Sequence, residues 1–387
     1  MEVKLKKKAV KALKKGETLL HSDDLIDGIL TNKWIDFVDE KGKFVGKGYL
    51  GKQNNGIGWC LSRKQISLDQ DFFSQRFAQA KAKRRFLYEQ TATTAFRLVN
   101  GAGDQLGGMT IDKYGDFAVI SWYNPSLHYL QKEIIAAFQA IFPEIKGIYE
   151  KLRFQTELPV SHFISGTLAP APLYIKENNI FYAVYLDEGL MTGIFLDQRE
   201  VRHYLAQGLA QNKNVLNMFS YTGAFSVAAA VGGAKSTTSV DLANRSREKT
   251  KEQFEINQLD LSQQKIHVMD TFAYFDYAKK KNLSFDLIIL DPPSFARNKK
   301  KVFRVAKNYG ELIEESVAIL NPKGVIIAST NAANLPAGKF RTIIEAAFKK
   351  QNVAYRLFKN YQLPQDFTQD PGFIEGNYLK VYLYQIL

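Results

Sequence analysis

Three short runs place a carboxylate at the end of a strand-like stretch: SVDLA ends on Asp241, HVMDTF on Asp270 and LIILDPPSF on Asp291. One aspartate in such a place is weak evidence, because Asp is a common cap for the helix that follows. Three in succession, behind the run NMFSYTGAFS (217–226), make a constellation. Gly223 lets the backbone approach a ligand closely, and the start of the next helix offers unpaired N–H groups. The run lacks the G-x-G-x-x-G of a dinucleotide loop, which disfavours a nicotinamide oxidoreductase and suits a nucleoside without a diphosphate. Asp241 is placed to accept ribose hydroxyls. Asp270, with Thr271 and Phe272, suits an adenine amino group and its ring. Together these residues fit an adenosine with a sulfonium tail, S-adenosylmethionine.

The third run has a further feature. Pro292 and Pro293 stiffen the turn after Asp291 and remove two N–H donors, leaving a rim of acceptors. Such a rim suits a flat heterocycle that presents N–H groups, with Phe295 to stack on it. A basic cluster follows: Arg297, Lys299, Lys300, Lys301, Arg304 and Lys307. The chain carries a net charge of +13, and its cations gather in groups. Lys6, Lys7 and Lys8 belong to one group near the start, and Lys81, Lys83, Arg84 and Arg85 form another. Clustered positive charge of this size points to a polyanionic partner.

The only cysteine, Cys60, lies in the alternating run GWCLS and reads as a core residue, so no disulfide framework exists and a cytoplasmic home is expected. His162, His203 and His267 are scattered singly without metal-ligand spacing, and no metal is expected. No run approaches the roughly 20 apolar residues of a membrane span. The basic start has no apolar h-region, so no secretory signal is expected.

The elements that position these residues fall into three zones. Residues 1–70 read as short strands between Gly and Asn turns. Residues 71–185 read as an α+β domain, with a helix at FFSQRFAQAKAKRRFLYEQ and a hairpin turning at Glu177, Asn178 and Asn179. GAGDQLGG (101–108) leads into a strand rather than a helix and reads as a hairpin turn. From residue 186 to 387, strand and helix alternate regularly, which predicts a doubly wound parallel α/β sheet. The apolar run NYLKVYLYQIL can be covered within that sheet or across a homodimer.

VLNMFSYTGAFSVAAAVGGA, SVDLA, DPPSF and TGIFLDQRE (192–200) together resemble the large-subunit ribosomal RNA methyltransferases of the RlmI-like group, over essentially the whole chain. The resemblance implies a multidomain protein: a β-rich PUA-like barrel that grips RNA, a central α+β domain and a Rossmann-like class I methyltransferase domain. It implies a cofactor site of Gln198, Arg199, Phe219, Ser220, Tyr221, Thr222, Gly223, Ala224, Asp241, Asp270, Thr271 and Asp291. Lys6, Lys7, Lys8, Arg84, Arg85, Lys299, Lys300, Lys301 and Arg304 are the expected RNA contacts.

One departure matters. Members that make 5-methylcytosine carry a cysteine just after the fifth strand, whereas here IIASTNAANL (326–335) puts Asn331 in that place. C5 of cytosine is a poor nucleophile until a thiolate adds to the ring, whereas a ring or exocyclic nitrogen needs no thiol. The expected chemistry is therefore methylation of a base nitrogen in 23S ribosomal RNA, guanine favoured, with Asp291, Pro292, Pro293, Phe295 and Asn331 at the reacting base. The alternatives are cytosine-C5 methylation, a DNA or protein methyltransferase, and a non-catalytic, SAM-binding assembly factor.

Overall fold

The structure is a computed structural model that describes residues 1–27, 32–53, 56–297 and 302–387. The chain divides into two compact units. The first holds residues 1–176, 184–192 and 365–376; the second holds 177–183, 193–364 and 377–387.

The first unit opens with β1 (Glu2–Lys4), α1 (Lys7–Lys15), β2 (Leu19–Leu20), β3 (Ile35–Val38), β4 (Phe44–Gln53) and β5 (Gly56–Ser62). These strands form one sheet in the order β1-β3-β4-β5-β2, with β1 parallel to β3 and the remaining pairs antiparallel. In α1 the small and apolar Ala9, Val10 and Leu13 face inward while the lysines stay in water. Helix α2 (Gln70–Lys83) starts where the Asp69 carboxylate accepts the Phe72 N–H at 3.1 Å. Then come α3 (Arg85–Tyr88), β6 (Ala95–Asn100), β7 (Met109–Tyr114), β8 (Phe117–Trp122), α4 (Pro125–Tyr129), α5 (Gln131–Ile141), β9 (Gly147–Leu152) and β10 (Ser161–Gly166). The second sheet runs β10-β9-β8-β7-β6. Phe72, Phe73, Phe77 and Ala80 of α2 pack with Leu98, Ile111 and Ile120 of this sheet, and Tyr49, Trp59 and Leu61 of the first sheet join the same core. The glycine-rich stretch at 101–108 connects the antiparallel β6 and β7.

A hairpin of β11 (Leu173–Glu177) and β12 (Ile180–Val184) follows. Its turn residues Asn178 and Asn179 both have positive φ, 50° and 66°, as a two-residue turn between twisted strands requires.

The second unit alternates strand and helix: α6 (Arg199–Tyr204), β13 (Asn214–Met218), α7 (Ala224–Val231), β14 (Ser236–Asp241), α8 (Ser246–Glu255), β15 (Gln264–Val268), α9 (Thr271–Lys280) and β16 (Phe285–Leu290). A small hairpin, β17 (Phe295–Arg297) and β18 (Val302–Arg304), precedes α10 (Val305–Val317), β19 (Leu320–Thr330), α11 (Ala337–Lys350), β20 (Tyr355–Tyr361) and β21 (Lys380–Ile386). The seven-stranded sheet has the order β15-β14-β13-β16-β19-β21-β20. The order reverses between β13 and β16, which puts the ligand crevice at their carboxyl ends.

The expected all-parallel sheet is corrected in one respect. β21 runs antiparallel to both β19 and β20, so the sheet is mixed. Inserted between two neighbours, the apolar NYLKVYLYQIL is covered within the sheet and needs no second copy of the chain. Among the described residues, no helix is long and apolar enough to cross a membrane.

Candidate active site

The loop between β13 and α7 is wound through an uncommon backbone path. Phe219, Tyr221 and Gly223 all have positive φ, at 58°, 53° and 80°. For the two aromatic residues this is an unfavourable region, of order 1–3 kcal/mol each, that persists only where neighbours enforce it. The enforcement is visible. The Ser220 N–H donates to the Val240 carbonyl at 3.0 Å and the Gly223 N–H to the Ser220 carbonyl at 2.8 Å. The Tyr221 N–H donates to Asp241 Oδ2 at 2.9 Å, and Thr222 Oγ1 donates to the Gly193 carbonyl at 2.6 Å. A side chain at Gly223 would put its Cβ 2.5 Å from Thr250 Cγ2, so the position demands glycine twice over.

The strand-end acids have structural partners as well. Asp241 accepts the Ala243 N–H at 2.9 Å through its other oxygen. A carboxylate offers about four acceptor positions, so these two bonds leave acceptor capacity. Asp270 caps α9, with Oδ1 accepting the N–H groups of Phe272 at 3.0 Å and Ala273 at 3.2 Å. Thr271 is buried beside it.

Gln198 links two strands of the crevice. Its Nε2 donates to Asp291 Oδ1 at 3.1 Å and to the buried Ser329 Oγ at 2.8 Å, while its Oε1 is buried without a hydrogen-bond partner. Burial pushes the Asp291 carboxyl up to about 6, and the neighbouring Asp197 carboxylate adds repulsion against which the Ser329 bond acts. Tyr378 donates its hydroxyl to Asp197 Oδ2 at 2.9 Å. Arg199 is buried in the first turn of α6, 3.4 Å from Glu200. Three residues on, Arg202 makes a buried two-bond pair with Glu177, both contacts at 2.7 Å, which anchors the helix. Ser329, Asp197 and the Arg202–Glu177 pair were absent from the sequence expectation. Arg202 continues the TGIFLDQRE run on the same helix, the one signal pointing to it.

The DPPSF rim and Asn331 meet. Ser294 Oγ donates to Asn331 Oδ1 at 2.7 Å, and Asn331 Nδ2 has no partner among the described residues. Pro292 is buried, whereas Pro293 and Ser294 are exposed and Phe295 is 55% exposed. Phe295 lies opposite Arg304 in the β17–β18 hairpin, and the Arg304 guanidinium sits 5.9 Å from its ring centre. Lys299, Lys300 and Lys301 fall outside the described residues.

The other expected RNA contacts divide. Lys6, Lys7 and Lys8 are exposed, with Lys8 3.6 Å from Asp23. Arg85 is exposed and pairs with Glu89 at 2.6 Å. Arg84 is a correction: it is 0% exposed. Its guanidinium forms a two-bond pair with Asp104 at 2.9 and 2.7 Å and also donates to the carbonyls of Ala80, Arg97 and Asp366. Burial alone would raise the Asp104 carboxyl, but Arg84 holds it below its usual value. Arg84 is thus a buried staple of the first unit and not an RNA contact. Basic spacing alone did not separate it from its exposed neighbours.

Residues 153–370 match the model of an S-adenosylmethionine-dependent methyltransferase family, more than half of the chain. The chain belongs to this family. Residues 3–63 match a PUA-like domain. The methyltransferase is 49% identical to the Bacillus subtilis "Putative ribosomal RNA large subunit methyltransferase YwbD", with 98% of each chain covered. It is 30% identical to "Ribosomal RNA large subunit methyltransferase I" of Yersinia pseudotuberculosis, over 92% of this chain and 91% of the other. Among solved structures, "SMU.776, a putative methyltransferase complexed with SAH" is 47% identical, covers 100% of both chains and superimposes with a TM-score of 0.94.

The residues present fit the family's cofactor. The enforced loop at 219–223 presents backbone at the switch point, Asp241 retains acceptor capacity, and Gln198 Oε1 is a buried acceptor awaiting a donor. When bound, S-adenosylmethionine supplies an electrophilic methyl group on a sulfonium.

Proposed function

We propose that this methyltransferase modifies a base nitrogen of large-subunit ribosomal RNA, with guanine favoured. The names of its relatives supply the RNA class. The contact between Ser294 and Asn331 carries the choice of atom. It supports a reading in which an amide lines the rim in place of the thiolate that carbon methylation would require. The chain's one thiol, Cys60, is buried in the N-terminal sheet against the Ser62 carbonyl, and burial pushes it up to about 11. Such a group is a packing residue and not a nucleophile.

On this reading Gln198, Arg199, the 219–224 loop, Asp241, Asp270 and Thr271 hold the cofactor, while Asp291, Pro292, Pro293, Phe295 and Asn331 surround the target base. Phe295 stacks on a base drawn out of its helix or taken from a single strand. Asn331 Nδ2 donates to a base carbonyl. Guanine N7 needs only its lone pair, and the Asp291 carboxylate then stabilises the cation that forms. An exocyclic amine would pass a proton to the same carboxylate. The remaining contribution is orientation in a cleft that excludes water. Three modules with boundaries near residues 70 and 185 would divide the work, the first gripping the RNA backbone with Lys6, Lys7 and Lys8, in the cytoplasm where ribosomes are built.

The test is methyl transfer from labelled cofactor to ribosomal RNA that lacks its modifications, with the product nucleoside identified by mass spectrometry. A methylguanosine is expected. A 5-methylcytidine would defeat the nitrogen reading, and transfer to DNA alone would defeat the substrate class.

A further inference from the structure

The motif GNYLK (376–380) leads into β21, the strand inserted between β19 and β20, and its lysine is not where a lysine ordinarily sits. Lys380 is 7% exposed and lies opposite Thr330 at the carboxyl end of β19. Its Nζ donates to the Ala332 carbonyl at 2.7 Å, and among the described residues no carboxylate lies within ion-pair reach. Burying an ammonium without a counter-ion is costly, and burial lowers its proton affinity accordingly. An apolar chain of similar length would fill this place at less cost. A fold keeps such a group when a site depends on it.

What Lys380 holds is specific. Ala332 is the residue after Asn331. Its N–H donates to Thr330 Oγ1 at 3.2 Å, and its carbonyl is taken by Lys380. The Asn331 side chain is tied on its other side by Ser294. The peptide that carries Asn331 is thus clamped at both ends.

We propose that Lys380 is a positioning residue that fixes the Asn331–Ala332 turn and so aims the Asn331 amide at the target base. This rests on the proposed reading of Asn331, so the test has one arm that depends on activity and one that does not. In the full-length protein, Lys380→Met, Lys380→Arg, Asn331→Ala and the Lys380→Met/Asn331→Ala double variant are compared.

Lys380→Met is expected to unfold at the same temperature as wild type or higher, because it removes a buried charge. Its kcat should fall at least tenfold, with KM for the cofactor within twofold. Asn331→Ala should show a similar loss. The double variant should lie within about twofold of the weaker single one, because both act through one group. Lys380→Arg should recover part of the rate. In the second arm, amide hydrogen exchange of the peptide spanning 330–335 should quicken at least tenfold in Lys380→Met, with the β16 peptide unchanged.

A wild-type kcat in Lys380→Met, additive losses in the double variant, or a lower unfolding temperature that accounts for the lost rate would overturn the proposal. So would unchanged exchange at 330–335, even if no RNA substrate had been found. Quickened exchange and the coupled kcat losses, with 5-methylcytidine as product, would uphold the clamp and sink only the nitrogen reading.

Discussion

Asp291 should cost the folded protein stability at neutral pH, and replacing it should expose that cost. Burial raises its carboxyl from 3.8 to about 6, with Asp197 adding repulsion. The shift is about two units, and at about 1.4 kcal/mol per unit it corresponds to about 3 kcal/mol. The sign follows from which state binds the proton more tightly. The folded state does, so the cost is fully present above pH 6, shrinks as pH falls, and is gone below 3.8, where both states are protonated. Asp291→Asn keeps the shape and the acceptor for Gln198 Nε2 but carries no charge. It should stabilise the second unit by about 1–3 kcal/mol at pH 8, the lower figure allowing for relaxation around the variant, and by about a third of that at pH 4.5. Urea titrations followed by hydrogen exchange in the β16 and β19 peptides of the cofactor-free protein would read this unit, since Trp34, Trp59 and Trp122 all lie in the other. The same variant should lose methyl transfer by about 100-fold or more. Wild-type kcat/KM should rise with pH through about 6 and then level off, whereas the residual activity of Asp291→Asn should not. A variant less stable than wild type at pH 8 would show that the carboxylate holds the crevice together, and the argument from buried charge would be wrong.

Other consequences follow from the same geometry. Gly223→Val combines a φ of 80° with a Cβ 2.5 Å from Thr250 Cγ2, so the loop must move; calorimetry should show cofactor affinity at least tenfold weaker. Arg84→Met removes the two-bond partner of the buried Asp104 carboxylate and leaves it only Lys83 and the Asn100 N–H, so it should destabilise the first unit by about 2–3 kcal/mol in urea titrations read by tryptophan fluorescence. In its folded fraction the salt dependence of RNA binding should stay unchanged. Converting Lys6, Lys7 and Lys8 together to Ala should lower the slope of log affinity against log salt by about two for single-stranded RNA, with cofactor affinity untouched. The Lys299, Lys300 and Lys301 triple variant should behave likewise, and an equal fall in cofactor affinity would remove these lysines from the RNA side.

Much of this was legible because it depends on local chemistry. The β-α alternation, the turn at Asn178 and Asn179 and the glycine at 223 are each dictated by backbone geometry that few residues satisfy. What was not legible depends on pairing at long range. β21 reads as an apolar strand wherever it goes, and only its insertion beside β19 fixes its antiparallel direction. Arg84 belongs to the same basic run as Arg85, yet a partner twenty residues away buries one and leaves the other in water. Ser329 was invisible because a serine in an apolar strand has no meaning until Gln198 arrives from another element.

The strand-end aspartates show why capping and ligand binding are poor alternatives to choose between. Asp270 caps α9, and Asp241 holds two backbone N–H groups, one of them from the loop proposed to meet the cofactor. An acid at a strand end is fixed by the donors it satisfies, and a fixed carboxylate with acceptor capacity left over is what a ribose hydroxyl requires. The structural task makes the binding task possible. Asp241→Ala would therefore lose affinity twice: once through the missing acceptor, and again through release of Tyr221 from its unfavourable φ of 53°. Asp241→Asn separates the two. It retains an acceptor for one backbone donor while weakening the ribose contact, so most of its effect should appear in cofactor affinity, and little in hydrogen exchange across 219–223. If exchange there quickened as much in Asp241→Asn as in Asp241→Ala, the carboxylate's charge would be what holds the loop, and its role toward the cofactor would be indirect.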